Sequence, residues 1–190
     1  MPGITAFYDA SVLYGSTLRN LLMHLALTGI VRAKWSRSVH EEWISALLRN
    51  RPDLTRNKLE RTRMLMDKHA EGALVTGYED LMEGLRLPDA NDRHVLAAAI
   101  RCQADVIVTA NVRHFPKAAL QKFEIEAQRP DDFVVRLMDL SVGSVVFAAR
   151  RHRESLKNPA KTVGEYLQML KTAGLGQTAF VLEEYMRAED

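Results

Sequence analysis

Pro88-Asp89-Ala90-Asn91-Asp92-Arg93-His94-Val95-Leu96-Ala97-Ala98-Ala99-Ile100-Arg101-Cys102-Gln103-Ala104-Asp105-Val106-Ile107-Val108-Thr109-Ala110-Asn111-Val112-Arg113-His114-Phe115 is the stretch from which the fold of this chain can be read. Its first half predicts a short helix with an apolar stripe, and Val106-Ile107-Val108 predicts a short strand buried on both faces, as in a covered parallel sheet. Asp89 and Asp92 stand at the helix start, and Asn111 stands just past the strand. In an open parallel sheet these positions share one edge, where ligands bind. Asp89 can be an N-cap, with Asp92 three residues on where a capping-box acid sits, and two acids also suit the helix dipole. The helical wheel opposes a purely structural role for Asp92. Val95, Leu96, Ala99 and Ile100 follow it at +3, +4, +7 and +8, so it shares their apolar face. A carboxylate there costs several kcal/mol unless it is paired or bound to a metal.

Outward from this stretch the chain reads as β-α-β-α-α-β-α-β-α-β, which predicts an α/β fold with a mainly parallel sheet flanked by helices. Ile4 to Tyr8 is a β-prone run that ends in Asp9, a residue whose position fits a helix cap and a functional acid equally well. The next helix carries Leu18, Leu21, Leu22, Leu25 and Leu27 and stops at Gly29, and Val31 to Trp35 can form a second strand. Ser38-Val39-His40-Glu41 has the capping-box pattern, with Ser38 as cap and Glu41 engaged by it. That leaves Glu42, which shares a face with Val39 and Ala46; a solvated surface role is the bland alternative. Thr55 can cap a helix from Arg56 to Ala70 whose methionines read as core filler, and Ala73-Leu74-Val75 reads as a short strand. Phe123-Ile125-Ala127, alternating with Glu124 and Glu126, predicts an edge strand. From Pro130 onward only helical patterns remain. The chain therefore divides into an α/β domain over residues 1–129 and an all-helical C-terminal extension over 130–190.

The 190 residues are 47% hydrophobic and 26% charged, enough for a real core, and a net charge of +2 is too mild to name a nucleic acid as partner. Cys102 is the single cysteine, which excludes a disulfide framework and fits a reducing cytoplasm. Met1-Pro2-Gly3 leads straight into a strand pattern rather than a cleavable signal, and Leu21 to Val31 is too short to span a bilayer, so the expectation is a soluble cytoplasmic protein.

Asp9, Asp89, Asp92 and Asn111 are thus expected on one sheet edge, with Glu42 on a helix that can reach it. Oxygen donors without a matching His or Cys set suit a hard cation, Mg²⁺ or Mn²⁺. Such a cation lowers the pKa of bound water and orients a phosphodiester, which makes metal-dependent phosphodiester hydrolysis the natural chemistry. There is no Gly-rich phosphate loop, and Asp9-Ala10-Ser11 lacks the second aspartate of a haloacid-dehalogenase-type phosphatase.

Four motifs carry a resemblance: Tyr8-Asp9-Ala10-Ser11-Val12-Leu13, Ser38 to Trp43 around Glu42, Pro88 to Ala99, and Val108-Thr109-Ala110-Asn111-Val112-Arg113-His114-Phe115. In this order and at these intervals the chain resembles PIN-domain ribonucleases, in particular the VapC-like toxins of prokaryotic toxin–antitoxin pairs. The resemblance implies that Asp9, Glu42 and Asp92 are catalytic acids that hold Mg²⁺ or Mn²⁺, with Asp89 an accessory acid. It places Asn111 where many members have Asp or Asn. A further acid three residues later in many members is His114 here, and Glu41 replaces Glu42 if the helix is rotated. It implies an RNA substrate, an antitoxin protein as partner and a homodimer. Arg113, Lys117 and the Arg150 to Arg153 group are candidate phosphate contacts by charge alone. The alternative is a PIN fold that holds RNA or a protein without cutting, and the blandest reading is an α/β domain whose acids are caps.

Overall fold

Ile4, Ala6, Tyr8 and their neighbours form the middle of a sheet because the run is apolar on both faces, and such a strand is stable only between two covered neighbours. The computed structural model describes residues 3–187. β1 (Ile4–Tyr8), β2 (Val31–Ser36), β3 (Leu74–Val75), β4 (Val106–Val108) and β5 (Glu126–Gln128) make a five-stranded sheet in the order β3-β2-β1-β4-β5. Every pairing is parallel. The order grows one way from β1 to β3 and then restarts on the other side of β1 with β4. The carboxyl ends of β1 and β4 therefore flank the point where the winding reverses, the crevice in which open α/β sheets place their ligands.

α1 (Ala10–Leu13) and α2 (Ser16–Leu27) carry the chain from β1 to β2, and Gly29, at φ +78°, supplies the left-handed turn that ends α2. α3 (Arg37–Asn50) and α4 (Arg56–His69) lead to β3. A 3₁₀ segment (Glu79–Gly84) and α5 (Arg93–Arg101) lead to β4, and α6 (Lys117–Leu120) leads to β5. α7 (Pro130–Ser155) starts on Pro130 at its first position, as its fixed φ allows, and is interrupted at Ser141, whose φ and ψ are not helical. α8 (Val163–Thr172) opens with a true capping box of Thr162 and Glu165, Gly174 ends it at φ +85°, and α9 (Gly176–Met186) closes the described chain.

The extension lies against the sheet layer. α7 packs along α2, and the Phe133 ring meets the Tyr8 ring edge-on, with centroids 6.4 Å apart. Farther along α7, His152 is fully buried between His24 of α2 and Tyr166 of α8, whose hydroxyl lies 3.0 Å from Nδ1. On the same face, where the Trp35 ring stacks on Tyr8, Asp67 Oδ1 accepts from Trp35 Nε1 at 2.8 Å and lies 3.1 Å from His40 Nε2. Trp43 Nε1 donates to His40 Nδ1 at 3.0 Å, so Nδ1 carries no proton and the N–H of that ring is on Nε2, which donates to Asp67. This chain of bonds fixes the rotation of α3 against α4.

Several sequence expectations are corrected. Ser36, not Ser38, caps α3, because β2 runs into the helix without a loop and its last residue is already extended. The Ser36 hydroxyl accepts from Val39 N, while Ser38 Oγ pairs with Tyr78 OH at 3.0 Å. Met66 fills the core, but Met64 is 62% exposed and Leu65 also faces outward. The edge strand begins only at Glu126, because Glu124 adopts φ +60° and turns the chain after Phe123. Cys102 lies just past α5, partly buried, with Sγ toward the Ala99 carbonyl.

Candidate metal centre

Asp9 is the first residue after β1, and its backbone still bonds across to Val108 O at 3.1 Å, so it is held at the crevice by the sheet itself. It occupies the N-cap position of α1 but makes no side-chain cap bond. Its Oδ2 instead accepts from Ser11 Oγ at 2.6 Å and from Thr109 Oγ1 at 2.8 Å. Ser11 Oγ in turn accepts from Ala110 N at 3.0 Å, and Thr109 Oγ1 from Asn111 N at 3.0 Å. Both hydroxyls spend their protons on one carboxylate oxygen, which leaves Oδ1 without any of these bonds and the carboxylate in a set orientation.

Asp89 caps a 3₁₀ turn (Ala90–Asp92), its Oδ1 accepting from Asn91 N at 2.9 Å. Asp92 follows at the N-cap of α5 with no side-chain cap bond. Its Oδ2 lies 2.8 Å from His114 Nδ1, across the crevice from α5 to the 3₁₀ turn Val112–His114. Asp89, Asp92 and His114 each present one ligand atom within 4.8 Å of the others. Burial raises the Asp92 carboxyl above its ordinary range, the hydrogen bond to His114 opposes that, and the neighbouring charges of Asp9 and Asp89 raise it further. Asp92 therefore sits close to both other acids, in a place unfavourable to negative charge.

α3 brings its two glutamates to different partners. Glu42 Oε1 lies 2.6 Å from Nε2 of His94, a buried residue of α5, whereas Glu41 Oε1 accepts from Arg56 at 3.0 Å in solvent. Both glutamates line, with Ala10, Ser11, Tyr14 and Trp43, an open groove of about 680 Å³ that runs from the Asp9 end of β1. A second groove, of about 970 Å³, starts from the same Ser11 and Tyr14 and passes Arg51, Lys58 and Lys161 of the extension.

Asn111 is exposed; its N–H serves Thr109 and its carbonyl accepts from His114 N at 2.9 Å, so the backbone of this residue shapes the turn. Arg113 and Lys117 are exposed beside it. Of the distal basic group, Arg153 donates to Lys161 O and Arg150 to Tyr185 O, which bind parts of the helical extension together, while Arg151 pairs with Glu154 within α7. Sequence reasoning missed His94, and it marked position 114 without its partner Asp92. Each is an isolated histidine, and no local pattern reveals a partner fifty or twenty residues away. Ser11 and Thr109 were visible only as members of motifs.

Among the described residues, no lysine or arginine ion pair reaches Asp9, Asp89 or Asp92. Two carboxylates and an imidazole that converge, with Asp9 near enough to raise the Asp92 carboxyl and no such ion pair to these acids, fit a bound divalent cation well.

A family model described as PIN domain matches residues 5–113, more than half of the chain. The chain belongs to the PIN-domain family. A further model, the VapC50 C-terminal domain, matches residues 130–184. A Mycobacterium tuberculosis protein named "Putative ribonuclease VapC50" is 48% identical over 68 residues, covering 36% of this chain and 40% of that protein. The matched part is thus less than half of that relative's length. No solved structure matches the chain.

Proposed function

We propose that the protein is a metal-dependent endoribonuclease that hydrolyses RNA phosphodiester bonds, and that it is the toxin of a type II toxin–antitoxin pair in the cytoplasm. The observation that carries the nuclease reading is the cluster of Asp89, Asp92 and His114 beside Asp9 at the switch point between β1 and β4, with no lysine or arginine ion pair to these acids among the described residues. Membership of the PIN family and the name of the mycobacterial relative support it. Among the described residues no helix is long and apolar enough to cross a membrane.

Asp9, Glu42, Asp89 and Asp92, with Asn111, are the residues proposed to hold Mg²⁺ or Mn²⁺; Asp9, Glu42 and Asp92 are the catalytic acids. When bound, the cation supplies charge stabilisation at the phosphodiester and lowers the pKa of water. The residues of the chain do the positioning. Ser11 and Thr109 fix one oxygen of Asp9, so that the other faces the crevice. His94 holds Glu42 by its carboxylate and thereby ties α3 to α5. Arg113 and Lys117 stand exposed at the crevice rim, where they can bind phosphates and place the scissile bond.

The test is cleavage of a labelled single-stranded RNA by the purified protein with Mg²⁺, with Mn²⁺ and with chelator. Cleavage that needs the cation and disappears in Asp92→Asn, with the thermal transition retained, is the expected result. Full turnover in that variant, or in chelator, sinks the assignment. RNA bound but never cut with either metal selects the alternative, a PIN-fold binding module. The toxin assignment has its own test: a small reading frame beside the gene whose DNA-binding product co-purifies with this chain and blocks cleavage. Size-exclusion chromatography with light scattering tests the proposed homodimer.

A further inference from the structure

The PIN-family resemblance expects an acid at position 114, and the chain has an imidazole. We infer that His114 is itself a metal ligand, through Nδ1, and that this nitrogen turns the centre away from Mg²⁺ toward a first-row transition cation such as Mn²⁺. The inference rests on the metal-dependent reading above and deepens it.

Geometry is the first support. Octahedral ligands about 2.1 Å from a cation are about 3 Å apart when adjacent and about 4.2 Å apart when opposite. Asp92 Oδ2 and His114 Nδ1 are 2.8 Å apart, the spacing of adjacent ligands, and with Asp89 all three donors fall within 4.8 Å. That upper bound is close to the separation of about 4.2 Å between opposite ligands, so the three donors stand near the spacing of a shared cation. The 3₁₀ turn that carries His114 is fixed by His114 N to Asn111 O and Phe115 N to Val112 O, with Phe115 buried behind it. The ring is therefore aimed by the backbone.

Chemistry is the second support. Mg²⁺ is a hard ion that takes oxygen donors and keeps much of its water, so replacing a carboxylate by a neutral nitrogen removes both charge and the preferred donor. Imidazole nitrogen suits first-row transition ions, Fe, Ni and Zn most of all, and Mn²⁺, the weakest binder of that row, still accepts it more readily than Mg²⁺ does. His94 is a different case. Its Nε2 is already directed at Glu42, so it acts on the centre through that glutamate.

The probe is Mn²⁺ added to the full chain and followed by electron paramagnetic resonance. Loss of the free-ion signal measures binding, and pulsed spectra of the bound ion read nitrogen in its coordination shell. Wild type should show a directly bound ¹⁴N that is absent in His114→Gln and retained in His94→Gln. Mg²⁺ should displace Mn²⁺ from His114→Asp at least about tenfold more readily than from wild type, in line with the effect of ligand changes at such centres. Bound Mn²⁺ without nitrogen coupling, or with coupling that survives His114→Gln, overturns the inference and leaves the metal-dependent nuclease standing. So does an unchanged Mg²⁺ competition in His114→Asp. Failure of every form to bind Mn²⁺ or Mg²⁺ overturns the inference together with the metal-dependent reading.

Discussion

His94 Nε2 lies 2.6 Å from Glu42 Oε1, and this bond joins α3 to α5 at the mouth of the crevice. The histidine ring is buried, and its Nδ1 has no hydrogen-bond partner. All of its polar engagement is therefore spent on the glutamate. Replacing His94 with Gln should leave the fold in place and lower metal affinity and cleavage about 10- to 100-fold, the usual range for residues that hold a ligand in position. Isothermal titration with Mn²⁺ and single-turnover cleavage read the two effects separately.

The rotation of α3 that sends Glu42 to His94 sends Glu41 to Arg56. Glu42→Gln should therefore reduce RNA cleavage at least as strongly as the His94 change. Glu41→Gln, which disturbs only an exposed pair, should stay within about twofold of wild type. Equal losses in both variants would show that the helix presents the other glutamate to the centre.

Asp67 ties Trp35 and His40 together at 2.8 and 3.1 Å and so sets that rotation. Asp67→Ala leaves two donors in a largely buried place without an acceptor, each costing about 1–3 kcal/mol. Unfolding by urea should report a loss of roughly 2–6 kcal/mol with little change in the denaturant slope. The same variant should lose cleavage beyond what its stability explains, because Glu42 stands one turn-face away on the helix that it anchors.

His152 is fully buried, and burial, with the charge of neighbouring His24 second, pushes its pKa down from 6.5 to about 4. The unfolded chain takes up this proton near pH 6.5 and the folded chain does not until about pH 4. Stability from the neutral ring is thus complete above about pH 6.5, is lost as pH falls toward about 4, and falls no further below that. The total is on the order of 3 kcal/mol. Thermal melts between pH 7 and pH 4 should show this slope in wild type, and His152→Gln should flatten it.

The helical extension contributes Phe133, Val134, Leu137 and Val145 to the same core as Tyr8 and Leu21. A chain cut after residue 129 would expose the apolar face of α2 and the Tyr8 ring. We propose that residues 3–129 need the extension to fold. The shortened protein should lack a cooperative thermal transition, whereas adding residues 130–187 back as a covalent part restores it. A sharp transition in the shortened form would show that the two parts are independent.

Much of this architecture could be read from local pattern. The apolar runs at Ile4 to Tyr8 and Val106 to Val108 can only be covered strands, and the wheel from Asp92 to Ile100 turns that acid inward. Failures came where two local signals competed. Ser38 and Glu41 have the spelling of a capping box, but the strand before them runs on to Ser36 and starts the helix sooner. Phe123 and Ile125 alternate like a strand, yet Glu124 takes a left-handed turn between them. At the candidate site, Asp92 drew attention because a carboxylate on an apolar face needs an explanation, and position 114 only through the family resemblance. His94 carried no such signal, because nothing unusual marks an isolated histidine.

The sequence by itself determined the parallel α/β architecture, the helical extension and the placement of Asp9, Asp89 and Asp92 at strand and helix ends, since periodicity and turn chemistry act over a few residues. Only the tertiary structure decided which partner each acid has: Ser11 and Thr109 for Asp9, His114 for Asp92, and His94 rather than Arg56 for the glutamate that faces the crevice. Those pairings span up to a hundred positions and depend on the order in which strands enter the sheet and on the rotation of α3. Both are set by packing of the whole core and by no local run of residues.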